Sequence, residues 1–337
     1  MVSPTDCDHY LAHLEARGAS PATCRAARAD LRGLVRWWEG TRRRRFEASQ
    51  IVERDLRAWC QHRQRIDGAA PSTINRGLST LRSFCAWAVD QGLLYDNPAA
   101  GLAEVPSAAL SPRGLPDEVV DALLRATSGE PSAFLRARDQ AALVLLAYAG
   151  LRVQEVCDVQ LRDLDLPGGT VTVRSGKGGK ARRVPLHADA ARLLVAYVDK
   201  VRCPGGLPAV GADEEREALL LGQSVCVPGQ PLRPGITPSL IRHRVGLLGQ
   251  RAAERLREEA KAEPDVLARE HLQRCAELAE RATPHQLRHS LARRMLRRGA
   301  QLSEVQRLLG HTRLSTTGVY LTPSEDDLRE AVDRAGL

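Results

Sequence analysis

Along this chain of 337 residues the alternation that marks a β-strand occurs clearly in one place. Asp163-Leu164-Asp165-Leu166 alternates polar and apolar side chains, and Pro167-Gly168-Gly169 then turns the chain. Thr170-Val171-Thr172-Val173-Arg174 alternates again, Gly176-Lys177-Gly178-Gly179-Lys180 makes a second turn, and Ala181 to Leu186 returns as a third strand. This pattern predicts a small antiparallel meander. Everything else in the chain is left to helices and loops, so the fold class is mainly α.

The first hundred residues carry helical spacing. Ser20-Pro21 opens a segment running to about Glu39, with Ser20 as N-cap, Pro21 at the first helical position, and Leu31, Leu34, Val35 and Trp38 at helical intervals. Further helices are predicted from about Ser49 to Arg63 and from Pro71, the latter carrying Ile74, Leu78, Leu81, Phe84 and Trp87 and closing near Gly92. Between the first two, Thr41-Arg42-Arg43-Arg44-Arg45 forms a basic cluster on a loop. Residues 1–105 read as one helical unit, and 106–115, rich in Pro, Ser and Gly and without period, as a linker. Residues 116–337 then form a second, α+β unit. It opens with helices near 117–127 and 133–149, the second apolar all round and therefore buried, with Gly150 as its C-terminal cap. From about 250 to 282 the chain is dense in Glu, Arg and Ala, with a break at Pro264; it reads as an inserted helical hairpin with one apolar seam, or as a solvated helix pair that only spaces its neighbours. A terminal helix is expected over about 324–335.

The formal net charge of +8 and a pI near 9.3 make a polyanion a reasonable partner, because neutralising phosphates releases condensed counterions. The eight cysteines are spread along the chain with no C-x-x-C pair, and read as reduced, mostly buried thiols of a cytoplasmic protein. Asp6, Asp8 and His9 interrupt any N-terminal signal peptide, and the apolar run around Ala141 to Ala149 is too short to span a bilayer, so no membrane association is expected.

The chemistry-bearing residues come in several groups. Thr283-Pro284-His285-Gln286-Leu287-Arg288-His289 opens a helix on which His285 and Arg288 share a face, near N–H groups that attract anions. Leu308-Leu309-Gly310-His311 precedes Leu314-Ser315-Thr316-Thr317-Gly318-Val319-Tyr320, which puts a histidine and a tyrosine within reach of one site. Arg152 follows a helix-ending glycine, with Glu155 three residues on. Only four of the 49 basic residues are lysine (Lys177, Lys180, Lys200 and Lys261), yet Lys177 sits on a glycine-flanked turn. Arginine is effectively always charged, whereas a lysine can release a proton, as a general acid must. Taken singly, each of these is commonplace: HxxR is frequent, and a lone tyrosine is more often packing than nucleophile.

Together, Arg152, Lys177, His285-x-x-Arg288, His311 and Tyr320, with the flanking stretches AGLRVQE, GKGGKARRVPL, HQLRHS and LLGHTRLSTTGVY, resemble in order the catalytic set of the tyrosine recombinases, the phage integrases and Xer-like resolvases. The N-terminal SPAT and TINRGLSTLRSFCAWA stretches and Asn97-Pro98-Ala99 resemble that family's helical core-binding domain, so the likeness covers nearly the whole chain. The resemblance implies a DNA-clamping helical domain and an α+β catalytic domain acting on double-stranded DNA at a specific recombination site. It implies attack by Tyr320 on phosphorus, phosphate binding by Arg152, Arg288 and His311, proton transfer by His285 and Lys177, and no cofactor and no metal. Arg42, Arg43, Arg44, Arg45, Arg76 and Lys180 are candidate DNA contacts. It further implies a homo-tetramer, or a paired recombinase, on DNA. The tail helix docks on a neighbouring subunit in the family; packing on its own subunit is the alternative. Two other functions share these residues or this charge: a type IB topoisomerase-like enzyme, and a sequence-specific DNA-binding protein that has lost catalysis. The stretch before Thr283 departs from the compact Xer pattern while leaving the catalytic positions intact.

Overall fold

The computed structural model describes residues 5–106, 114–174, 181–222 and 235–310. It divides into two compact units, residues 1–109 and 110–337, each with its own core.

The first unit is a bundle of four helices: α1 (Asp6–Ala16), α2 (Pro21–Arg42), α3 (Glu53–Arg65) and α4 (Pro71–Asp90). Sequence spacing passed over α1, whose start is fixed locally. Thr5 and Asp8 form a reciprocal capping box, with Thr5 Oγ1 accepting the Asp8 N–H at 3.3 Å and the Asp8 carboxylate accepting that of Thr5 at 3.0 Å. Ser20 caps α2 as expected, accepting the Thr23 N–H at 3.1 Å. Leu31, Leu34 and Trp38 of α2 are buried with Leu78, Leu81 and Phe84 of α4. Tyr10 meets Phe84 edge-on with ring centroids 5.4 Å apart, which anchors α1 on α4.

The second unit is larger. Its helices are α5 (Asp117–Ala126), α6 (Ala133–Ala147), α7 (Val153–Asp158), α8 (Ala188–Tyr197), α9 (Pro238–Ala262), α10 (Val266–Glu280), α11 (Pro284–Arg297) and α12 (Leu302–Leu309). Helix α6 is the central rod the apolar run predicted, with every residue from Ala141 to Ala147 buried. Gly150 adopts φ +63° and sends the Leu151 N–H back to the Leu145 carbonyl at 2.9 Å, which ends the helical stretch. Gly114 and Leu115, read from sequence as the end of a linker, lie against α11: the Leu115 N–H donates to Ser290 Oγ at 2.8 Å, and its side chain is buried in the second core.

The sheet is the expected meander: β1 (Leu164–Asp165), β2 (Thr170–Val173) and β3 (Arg182–Pro185), antiparallel in the order β1-β2-β3. The register pairs Val171 with Val184 and Val173 with Arg182. Directly paired residues share a face, so Val171, Val173, Val184 and Arg182 all point inward, while Arg183 points out.

Helix α9 runs unbroken from Pro238, so the stretch expected as a hairpin over 250–282 is the far half of a longer helix followed by α10. Its near half is held by buried charge: Arg244 donates to Asp139 at 2.7 Å and to Glu130 at 2.5 Å, and Arg138 donates to Asp139 at 2.8 Å. Its far half packs on α10 through small residues, Ala252 and Ala253 against Ala276 and Ala279. Among the described residues no helix is long and apolar enough to cross a membrane.

Two glycines in α9 separate propensity from packing. A Cβ on Gly249 would lie 2.3 Å from the Ala279 carbonyl oxygen, whereas one on Gly246 would meet nothing within 4 Å. Alanine is the better helix former by about 1 kcal/mol, and overpacking costs about 1–3 kcal/mol. Gly246→Ala is therefore expected to raise the unfolding free energy by up to about 1 kcal/mol. Gly249→Ala is expected to lower it by up to about 2 kcal/mol, with urea unfolding as the measurement for both.

Candidate active site

Three segments of the second unit converge on one carboxylate. Arg152 occupies the N-cap of α7, and Glu155, in the first turn of that helix, folds back on it: the Arg152 N–H donates to Glu155 Oε2 at 2.8 Å and its Nη1 to Oε1 at 2.9 Å. Gly150 sets this up. Besides its left-handed φ, a Cβ there would lie 2.7 Å from Leu309 Cδ2 and 2.8 Å from Leu291 Cδ2, so its bareness lets α11 and α12 close over the start of α7.

Arg288 comes from α11, whose start is fixed by Thr283 and Gln286 in a capping box and by Pro284 in the first turn. Its guanidinium is 2% exposed. Nη1 donates to the Gly150 carbonyl and lies 3.6 Å from Glu155 Oε2, and Nη2 donates to the Leu309 carbonyl at 2.6 Å. The two arginines singled out in the sequence are thus brought together, joined through Glu155. His285, one turn before Arg288 on α11, is exposed, and its ring stands edge-on to His289 with centroids 4.4 Å apart.

A third arginine shares the carboxylate. Arg182 of β3 reaches Glu155 with both terminal nitrogens, Nη1 to Oε1 at 2.9 Å and Nη2 to Oε2 at 2.7 Å, and its Nε donates to the Leu308 carbonyl at 3.1 Å. Sequence reading missed it. The available signal was parity: in a strand whose inward position is Val184, Arg182 also faces the core, and an inward arginine needs a partner.

Glu155 is 5% exposed. Burial alone pushes its carboxyl pKa up, but the Arg182 fork, the Arg152 backbone N–H and the two positive charges outweigh this and hold it below the ordinary glutamate value. Three guanidiniums around one carboxylate leave an excess of positive charge. Arg152, with 35% of its side chain exposed, presents that excess to solvent, which suits the binding of an anion.

Gly310 ends helix α12 at φ +64°. Lys177, Lys180, His311, Tyr320 and the expected terminal helix lie outside the described residues. In the first unit, Arg42 is the last residue of α2 and pairs with the buried Asp55, and Arg76 pairs with Asp30 at 2.8 Å. Both therefore have a structural role. Arg43, Arg44 and Arg45 are exposed, Arg44 with its guanidinium 5.4 Å from the centre of a Trp38 ring.

Comparison with known proteins places the chain in a family. The phage integrase family pattern matches residues 113–326, and that of the phage integrase N-terminal SAM-like domain matches residues 7–92. Tyrosine recombinase XerC of Rhodospirillum centenum is 34% identical over 325 residues, covering 95% of this chain and 82% of that protein. Tyrosine recombinase XerC of Mycobacterium sp. (strain JLS) is 34% identical over 334 residues, covering 97% and 96%. The chain belongs to the phage integrase family, the tyrosine recombinases. Among solved structures, the Tn1549 transposon integrase in complex with circular intermediate DNA superposes with a TM-score of 0.65 at 20% identity, covering 98% of this chain and 99% of that one. The XerH site-specific recombinase bound to palindromic difH substrate also gives 0.65, at 19% identity and 94% and 81% coverage. These two share the fold.

The ion cluster has a definite pH signature. Because the Glu155 pKa is lowered by folding, its contribution to stability is complete above the unfolded glutamate value of about 4.3 and is lost as pH falls through the lower folded value. At neutral pH, Glu155→Gln should cost about 3–5 kcal/mol, since it leaves buried guanidinium charge uncompensated. The gap between wild type and variant should narrow as pH falls below the unfolded value of about 4.3 and on through the lower folded value, as read from urea unfolding at stepped pH.

Proposed function

We propose that this chain is a site-specific DNA recombinase that cuts and rejoins DNA strands through a covalent 3′-phosphotyrosyl intermediate formed by Tyr320. The observation that carries the reading is the meeting of Arg152 and Arg288 around Glu155, in a chain whose family carries out DNA strand transfer. A phosphodiester resists attack because its own negative charge repels nucleophiles. Two guanidiniums at the non-bridging oxygens offset that charge and stabilise the additional charge of the transition state. Arg152 is partly exposed, with Nη1 held by Glu155. Arg288 uses two of its five N–H groups on the backbone carbonyls of Gly150 and Leu309, which fixes the plane of its fork.

In the proposed sequence the Tyr320 phenol oxygen bonds to phosphorus and its proton passes toward His285. The bond from phosphorus to the 5′-oxygen breaks, and Lys177 delivers a proton to the departing oxygen. His311 adds a hydrogen bond to the phosphate. Religation runs the same steps backward, with a 5′-hydroxyl attacking the phosphotyrosyl bond, so the bond energy is retained and no nucleotide triphosphate is consumed. Glu155 holds Arg152 in place. The exposed arginines Arg43, Arg44 and Arg45 of the first unit and Lys180 of the second add backbone contacts to a duplex carrying a specific site, and four protomers, or two pairs of partner recombinases, act together on two such sites.

The test uses a suicide duplex nicked near the cleavage point and bearing the sequence that the wild-type chain selects from a randomised DNA pool. Wild type is expected to form a covalent protein–DNA adduct. Tyr320→Phe is expected to bind that duplex with unchanged affinity and form none; an adduct surviving in Tyr320→Phe would remove the assignment of the nucleophile. Lys177→Ala should lose on the order of 10²–10⁴-fold in cleavage rate. A 5′-bridging phosphorothiolate, whose sulfur departs without a proton, should restore that variant.

A further inference from the structure

Three features single out Arg182. It stands at an inward-facing position of β3, paired with Val173 and in line with Val184, where an aliphatic residue fits the sheet. Its side chain is only 12% exposed, and all three of its nitrogens are engaged: two on the separate oxygens of Glu155 and one on the Leu308 carbonyl. The backbone next to it is shaped around it. A Cβ on Gly310, already at φ +64°, would lie 3.1 Å from Arg182 Nη1, 3.2 Å from Cδ and 3.3 Å from Cζ. The last turn of α12 therefore lies directly on this guanidinium.

The consequence for the arginine pair follows from the geometry of Glu155. Each of its oxygens is shared. Oε1 accepts from Arg152 Nη1 and Arg182 Nη1; Oε2 accepts from the Arg152 backbone N–H and Arg182 Nη2, with Arg288 Nη1 at 3.6 Å. A carboxylate held only by Arg152 could rotate with it. The bidentate fork from the sheet removes that freedom, because a planar guanidinium and a planar carboxylate lock in one plane. Through Nε the same side chain fixes the end of α12, whose next carbonyl, that of Leu309, anchors Arg288.

We infer that Arg182 is a positioning residue for DNA strand cleavage: it locks the Glu155 carboxylate and the C-terminal turn of α12, and so sets the mutual orientation of Arg152 and Arg288 without touching the phosphate. This rests on the recombinase reading above. Lysine cannot replace it, since one ammonium cannot reach both Glu155 oxygens and the Leu308 carbonyl in the fixed plane that the guanidinium provides.

Arg182→Lys and Arg182→Met test this, with Tyr320→Phe as the blank for adduct formation. Their urea midpoints and affinities for the selected duplex are measured beside single-turnover cleavage of the suicide duplex. Arg182→Lys keeps a charge against Glu155 and serves as the folded comparison should Arg182→Met unfold. Both the ordinary phosphodiester and a methylphosphonate at the scissile position are used. The methylphosphonate is neutral, so it depends little on a well-aimed arginine pair. Arg182→Lys is expected to bind DNA within about twofold of wild type and to cleave the phosphodiester on the order of 10²-fold more slowly. On the methylphosphonate the deficit relative to wild type should shrink to about threefold. The double variant Arg182→Lys/Glu155→Gln should be no slower than the slower single variant, because both act through one element. Cleavage at the wild-type rate, or an equal deficit on both substrates, would overturn this role while leaving the recombinase reading intact. Absence of any wild-type adduct would remove the recombinase reading, and this inference with it.

Discussion

The candidate site of the second unit is organised around one buried carboxylate, that of Glu155. Isolated, the Glu155 carboxylate would be costly to remove from water, and each guanidinium near it would be costly as well. Three arginines from α7, β3 and α11 resolve this jointly, each partly neutralised by the same two oxygens. The segments that supply them are far apart in the chain, so the cluster forms only when the helical core, the meander and the C-terminal helices are all assembled. A surplus of positive charge remains, and its most exposed member is Arg152. Structural cohesion and a positive surface suited to an anion thus come from one arrangement.

Much of this was legible in the residues. The meander followed from alternation broken by Gly and Pro, and the helix starts at Ser20 and Pro284 from cap chemistry. Arg152, Glu155 and Arg288 stand out in the sequence, and the fold brings them together. What stayed hidden has physical causes. Helix α1 is short and only weakly patterned, and is defined by its capping box more than by an apolar stripe. The near half of α9 contains Gly246 and Gly249, which lower helix propensity, and the second is present because α10 approaches too closely for a side chain. Arg182 was invisible as a type: in a chain with 49 basic residues, nearly all of them arginine, one more carries no information until strand parity shows which way it faces.

The basic cluster after α2 shows why charge counted along a sequence overstates what is available to a ligand. Arg42 is spent on Asp55, which also accepts from the Trp38 indole at 3.4 Å, and so serves to close the helical bundle. Only Arg43, Arg44 and Arg45 remain on the outside, and Arg44 is drawn over the Trp38 ring.

The pairing of Val171 with Val184 has a consequence for how this hairpin can vary among relatives. Arg182 and Arg183 are chemically identical neighbours with opposite duties, one tied to the carboxylate beneath the sheet and the other to Asp165 on the outer surface. Nothing but registry distinguishes them. Sliding the third strand by a single step would turn Val184 to solvent and exchange the two guanidiniums. Insertions or deletions in the connecting loop are thus tolerable only when the aliphatic pair keeps its alignment, whatever the loop itself contains.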